Sequence, residues 1–265
     1  MQLVFFTKPL QGEDLASQVA FARQVGADGL DLAVRPGHAV TPDNAGRELP
    51  RAAACCRQAG LALPMVSLPT DFVDPAAPPA AAVAAACQEA GVGLIKLGYF
   101  PYRGCYWPEL DAAQRALGEF ERIGARYGVK FCYHTHSGDY LGCNCEALAG
   151  LISTCDPRYV GAYADAGHQR LGGAGWAMGL EMVATHLCAL GVKDPVWERE
   201  GGRWQRRFVP LGQGMVNWAE VLAGARGVGF GGPVSLHVEY PYRSRQELVE
   251  LAAADLALLR AQMPG

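Results

Sequence analysis

No long run of lysine or arginine occurs in this 265-residue sequence, and its formal net charge is -3. Nucleic-acid phosphates are gripped by basic stripes and patches, so no nucleic-acid partner is expected. Charged residues are scarce, 18% against 50% apolar, which leaves ample material for a large buried core. Even so, proline, glycine and charge interrupt every apolar segment well short of a bilayer's thickness, so no membrane span is expected. The opening MQLVFFTKPLQ lacks the basic start, long apolar stretch and small-residue cleavage site of a secretory signal. These absences predict a soluble, cytoplasmic protein whose partner is a small molecule.

A disulfide framework is missing too. Nine cysteines is an odd number, and Cys55, Cys56, Cys87, Cys132 and Cys188 fall inside apparent elements, as buried reduced thiols do. Cys143 and Cys145, in CNC, could grip a soft metal, but no second cysteine pair at zinc-site spacing accompanies them. No Pro/Gly/Ser-rich linker divides the chain, so one domain over residues 1–265 is expected.

What is present is alternation. Short β-rich runs begin at Leu3, Gly29, Pro64, Leu94, Lys130, Val160, Leu187 and Pro233, and longer Ala/Leu-rich amphipathic stretches lie between them. Several of the helical stretches end in AG or YG just before the next strand, as a glycine C-cap would. Eight such units predict an α/β fold of the (β/α)8 barrel type, with its site at the C-terminal ends of the strands. A doubly wound open sheet is the alternative, but no G-x-G-x-x-G follows the first strand. The GAGWAMG run at Gly173 is too irregular for a phosphate cradle.

A barrel would bring together polar residues that are far apart in sequence. Strand five, in YHTHSGD, offers His134 and His136; strand six, in YADAGH, offers Asp165 and His168. Strand seven ends in Lys193 and Asp194, and strand eight carries His237 and Glu239 on one face. Strand two adds Asp31 and Arg35, and strand four adds Lys96 between outward-facing Ile95 and Leu97. Buried carboxylates and lysines are costly unless paired or ligating, so their coincidence at one mouth points to function. His, Asp and Glu donors suit zinc, manganese or cobalt, and an open metal position could polarise a carbonyl. Each residue also has a plainer reading: Asp165 as a turn cap, Lys193 as a structural ion pair, any histidine as packing. Phe6, Tyr99, Tyr102 and Trp107 could wall a sugar face or simply pack. Arg35, Lys96, Arg103 and Arg170 are scattered basic candidates for a phosphate.

Several motifs, in order, carry a likeness: GADGLDL, YHTH, DAGH, GVKD, PLGQGMVNWAEVL and GGPVSLHVEY. Over nearly its whole length the sequence resembles the xylose-isomerase-like barrel family of sugar and sugar-phosphate isomerases and epimerases, which is related to endonuclease IV. The resemblance implies a divalent metal, often manganese, cobalt or magnesium, held by Glu, Asp, His and Glu from strands five to eight. By position Asp165 and Glu239 match the second and fourth ligands, and His168 matches a histidine that touches substrate. His134 takes the place of the fifth-strand glutamate, and Gly191 that of the seventh-strand histidine.

The implied metal set is then His134, Asp165 and Glu239, with His237 the best further donor. Glu239, His136 and Lys193 are the acid/base and electrophilic candidates, and His168, Lys96, Asp31 and Arg35 the substrate contacts. A homodimer is a further implication. The endonuclease branch fits poorly, because strands three and four carry no histidine. The leading expectation is a metal-assisted isomerase or epimerase working through an enediolate on a carbohydrate or polyol ketone. The alternatives are a dehydratase of the inosose dehydratase type and a non-catalytic sugar-binding barrel.

Overall fold

The computed structural model describes residues 1–263, so the last two positions of the expected 1–265 domain lie outside the described residues. Eight strands close into a parallel barrel: β1 (Gln2–Phe6), β2 (Gly29–Ala33), β3 (Ala62–Ser67), β4 (Leu94–Lys96), β5 (Lys130–His134), β6 (Val160–Asp165), β7 (Leu187–Val192) and β10 (Pro233–Leu236). Each strand pairs with its neighbours in chain order, and β10 closes the ring on β1, with Gln2 beside Pro233 and Phe5 beside Leu236.

The intervening helices are α1 (Leu15–Gln24), α2 (Ala45–Gln58), α3 (Pro78–Ala90), α4 (Tyr106–Tyr127), α5 (Cys145–Ile152), α6 (Ala166–Gly172), α7 (Trp176–Val183), α8 (Trp218–Gly227) and α9 (Arg245–Ala261). Local chemistry sets their ends. Asp14, Asn144, Asn217 and Ser244 cap α1, α5, α8 and α9 by accepting from the backbone N–H three residues on. Gly91 and Gly128 end α3 and α4 at φ 72° and 65°, a left-handed conformation that costs glycine nothing.

The apolar side chains divide as barrel geometry requires. Leu30, Leu32, Ile95, Phe131, Leu190 and Leu236 face the helices in the main core, while Met65, Cys132, Tyr163, Cys188 and Ala189 fill the barrel interior. Among the described residues no helix is long and apolar enough to cross a membrane.

Two features depart from the sequence reading. β5 ends at His134 and β10 at Leu236, so His136, and the His237 and Glu239 expected on one face of strand eight, lie in the loops beyond. β7 stops at Val192, and Asp194 opens an unforeseen antiparallel hairpin, β8 (Asp194–Glu200) and β9 (Arg203–Val209). The hairpin returns to the barrel mouth, where Arg206 donates to Ser137 O (3.0 Å) and engages Ser137 Oγ (2.7 Å).

Candidate active site

Residues from all eight strand ends meet at the C-terminal mouth. Asp165 closes β6 and caps α6, its Oδ1 accepting from His168 N at 2.7 Å, so capping and convergence are one arrangement. Its other oxygen, Oδ2, lies 3.2 Å from His134 Nε2 and 3.8 Å from Lys193 Nζ. Lys193 Nζ also donates to Glu239 Oε2 at 2.8 Å, and Lys8 Nζ donates to Oε1 at 2.8 Å. Burial alone would raise the Glu239 pKa, but Lys193, His237 and Lys8 outweigh it and hold the carboxyl well below its ordinary range.

Hydrogen-bond partners determine which ring nitrogens carry protons. His136 Nδ1 faces the Ser137 carbonyl at 3.0 Å and must donate to it, which leaves the lone pair of the neutral ring on Nε2. Burial, then Lys193, pushes the His136 pKa down to about 4, so the ring is neutral at pH 7. His168 Nδ1 accepts from Ser137 N at 3.1 Å, so its buried Nε2 bears the proton and has no acceptor.

Asp31, wholly buried, accepts from Ser67 Oγ (2.8 Å), Ser235 Oγ (2.9 Å) and the Tyr163 hydroxyl (3.2 Å). Having given its hydrogen to Asp31, Tyr163 accepts from His237 Nε2 at 2.8 Å. That leaves a lone pair on His237 Nδ1, a buried atom with no partner.

A small pocket of ≈ 50 Å³, open to solvent, is walled by Phe6, Ser67, Thr70, Tyr99, His136, Tyr163 and His237, with Lys8, Arg35, Lys96, Lys193 and Glu239 among them. Its lining suits a small polar ligand. Of the aromatics expected at the wall, Phe6 and Tyr99 are there, whereas Tyr102 and Trp107 are exposed outside it. A larger hollow at the start of α7 and α8 is lined by Arg170 and Gly173–Gly175 and contains none of these groups.

Comparison with known proteins agrees with this geometry. The family model of the xylose isomerase-like TIM barrel matches residues 19–262. The chain belongs to this family. No curated protein matches it in sequence. Among solved structures, the D-psicose 3-epimerase of Clostridium cellulolyticum H10, with D-tagatose, superposes with a TM-score of 0.80 at 15% identity, covering 100% of both chains. The 3-keto-D-glucoside 4-epimerase of E. coli gives 0.74 at 14% identity, covering 98% of this chain and 99% of that one. A xylose isomerase domain protein of Planctomyces limnophilus gives 0.74 at 19% identity, covering 98% and 96%.

Within this family member, the expected metal donors separate into two groups. One atom each from His134, Asp165 and His237 lies within 4.8 Å of the others, a grouping that could hold a metal ion. Glu239, the fourth expected ligand, stands outside it, because two ammonium groups draw its carboxylate away. Donors on one ion with bonds of about 2.0–2.2 Å stand roughly 3–3.5 Å apart, the spacing His134 and Asp165 already have. The unpartnered lone pair of His237 Nδ1 completes a donor set that fits a borderline divalent ion. Gly191 belongs to the same packing: a Cβ there would lie 2.6 Å from Asp165 Oδ2 and 3.0 Å from His134 Nε2, so only glycine leaves them room.

The other expected residues sort as clearly. Lys96, Arg35, Lys193, His136, His237 and Glu239 line the pocket, His168 packs against His136 with ring centroids 4.2 Å apart, and Asp31 acts from behind through Tyr163. Arg103 and Arg170 do not reach the pocket. Among the described residues Cys143 and Cys145 belong to no group of metal donors. Asp194 is structural, its carboxylate accepting from the N–H groups of Gly212, Gly214 and Val216 and from Trp218 Nε1. Sequence reasoning passed over Lys8 and Tyr163. The last was within reach, since Tyr163 and Asp165 share a face of β6 by alternation.

Proposed function

We propose that the chain, acting as one barrel domain over residues 1–265, is an isomerase or epimerase of a sugar, sugar phosphate or related polyol ketone. The observation that carries this is the meeting, in one pocket, of an ionised carboxylate on Glu239, a neutral imidazole lone pair on His136 and the Lys193 ammonium. Moving a proton between carbon and solvent next to a carbonyl needs a base, an acid and a stabiliser of the enediolate oxygen. Glu239 or His136 Nε2 takes the proton and, as the acid so formed, returns it to carbon, while Lys193 donates to the oxygen that gains charge. His134, Asp165 and His237 would hold a divalent metal (manganese, cobalt, magnesium or zinc), which as a Lewis acid polarises a bound carbonyl or hydroxyl. The epimerases among the superposed structures support this choice of substrate class, and the buried thiols of Cys56, Cys87 and Cys145 support a reducing cytoplasm.

One observation favours a second outcome on the same intermediate. The His168 Nε2–H, buried and without an acceptor beside His136, can hydrogen-bond a β-hydroxyl, to which the acid formed on His136 or Glu239 would deliver its proton, making the reaction a dehydration. The test is proton NMR of a panel of ketoses and keto-sugars in D2O with metal-supplemented protein. Deuterium on one carbon, with an epimer or aldose appearing, is the expected result; a dehydrated product selects the lyase. If no substrate exchanges a carbon-bound proton while metal is bound, the enolisation reading fails.

A further inference from the structure

Glu239 is shared by Lys8 and Lys193, so its charge is already met by two of the four cations that line the pocket. The other two, Lys96 and Arg35, have no such carboxylate. Lys96 is 2% exposed and sits at the end of β4, and its Nζ is a buried atom with no hydrogen-bond partner. What it has is the face of Tyr99, 3.7 Å from Nζ to the ring centroid. Arg35 follows β2, packs its guanidinium over Phe6 at 5.1 Å, and reaches Ser67 O only at 3.4 Å through Nε.

Asp31 is close enough to act on both, but its oxygens already accept from two serines and Tyr163, and burial raises its pKa. Burial, and next the Arg35 guanidinium, drive the Lys96 ammonium well below its ordinary pKa. Holding a charge on the partnerless Lys96 amine, beside a half-buried guanidinium whose one hydrogen bond is long, carries a desolvation cost that a ligand anion relieves.

We propose that Lys96 and Arg35 form an oxyanion subsite, so that the substrate carries a phosphate or carboxylate group. Thr70 lines the same pocket and offers a hydroxyl, whereas that of Ser67 is donated to Asp31. The subsite rests on reading the pocket as a substrate site, and it narrows the substrate from carbohydrates in general to anionic ones. Lys96 supplies a compact charge and Arg35 a planar fork, a combination suited to a polydentate oxyanion.

The test is independent of turnover. Inorganic phosphate and glycolate are titrated calorimetrically into the metal-supplemented full chain at constant ionic strength, with chloride as the background ion. At least one of them should bind. Binding should weaken tenfold or more in Lys96→Met and in Arg35→Met, and stay within threefold of the parent in Arg170→Met and in the parent titrated without added metal. The last titration separates anions held by Lys96 and Arg35 from anions held on a metal. Tighter binding of phosphate selects a sugar phosphate, and tighter binding of glycolate a sugar acid.

Binding of neither anion overturns the proposal, as does binding that survives both cation variants or that is lost only when no metal is added. If Lys96→Met does not fold, Arg35→Met, at a half-buried loop position, decides alone. Anion binding without proton exchange in any sugar would retain the subsite and reject the enolisation chemistry, and the converse would do the reverse.

Discussion

At the scale of single residues, the site is organised by which atoms hold protons. Asp31 accepts from Tyr163 and Tyr163 accepts from His237 Nε2, which leaves the lone pair of His237 on Nδ1, in a ring grouped with His134 and Asp165. This chain predicts the effect of Tyr163→Phe, which removes one oxygen and leaves the proposed metal donors themselves in place. His237 would then be free to adopt either tautomer, and a buried N–H would lose its acceptor. Metal affinity should fall roughly 10–100-fold, as it does when a group that orients a ligand is lost. Stability should fall by about 1–3 kcal/mol. Metal titration and urea unfolding of the same variant check both; unchanged affinity would show that Asp31 and Tyr163 only pack the barrel interior.

At the scale of elements, the strands that build the barrel were legible because each carries an apolar signal bounded by glycine or proline. The hairpin β8–β9 was not, for a physical reason. DPVWERE and RWQRRFV alternate charge with exposed tryptophan and bury almost nothing, so neither strand has the apolar face that betrays a strand in sequence. Lys193 and Asp194, read together as one strand end, serve opposite purposes on either side of that boundary. Lys193 faces Glu239 in the pocket, while Asp194 turns back to hold the loop from Gly212 to Trp218.

Convergence of the site residues followed from topology alone, because a parallel barrel gathers its strand ends. Their roles did not follow. The ammonium groups around Glu239 and the unpartnered Nζ of Lys96 depend on side-chain placement that spacing cannot supply. The Asp194 assignment makes its own prediction. Asp194→Asn replaces one of two acceptor oxygens by an amide that faces backbone N–H donors. It should cost about 2–4 kcal/mol of unfolding free energy and loosen the 212–218 loop. Urea denaturation and amide exchange at Gly212, Gly214 and Val216 report it, and a loss under about 0.5 kcal/mol, the range of ordinary surface changes, would refute the assignment.

For the whole molecule, so much imidazole in a cationic mouth ties folding to pH. Burial, and then Lys193, lowers the pKa of His134, His168 and His237 well below the ordinary value of 6.5, and that of His136 to about 4. Below about pH 6.5 the unfolded chain binds protons at these positions and the folded chain does not, so stability is complete above that value and falls with pH. Each histidine contributes a slope of about 1.4 kcal/mol per pH unit in this window.

Two buried carboxylates act in the opposite sense. Burial raises Asp31, and it lifts Asp255 to about 6, so the folded state takes up protons there that the unfolded state accepts only nearer 3.8. The four histidines outnumber these two carboxylates, so the unfolded chain holds the more protons near pH 5 and stability falls as pH falls. Metal bound through His134 and His237 steepens the fall, since protons compete for the same nitrogens. Urea midpoints should therefore be flat from pH 8.5 to 7, drop sharply between 6.5 and 5, and drop further with metal present. A midpoint unchanged across pH 6.5 to 5 would mean that these imidazoles are protonated in the folded protein, and the neutral His136 base proposed for proton transfer would be lost with them.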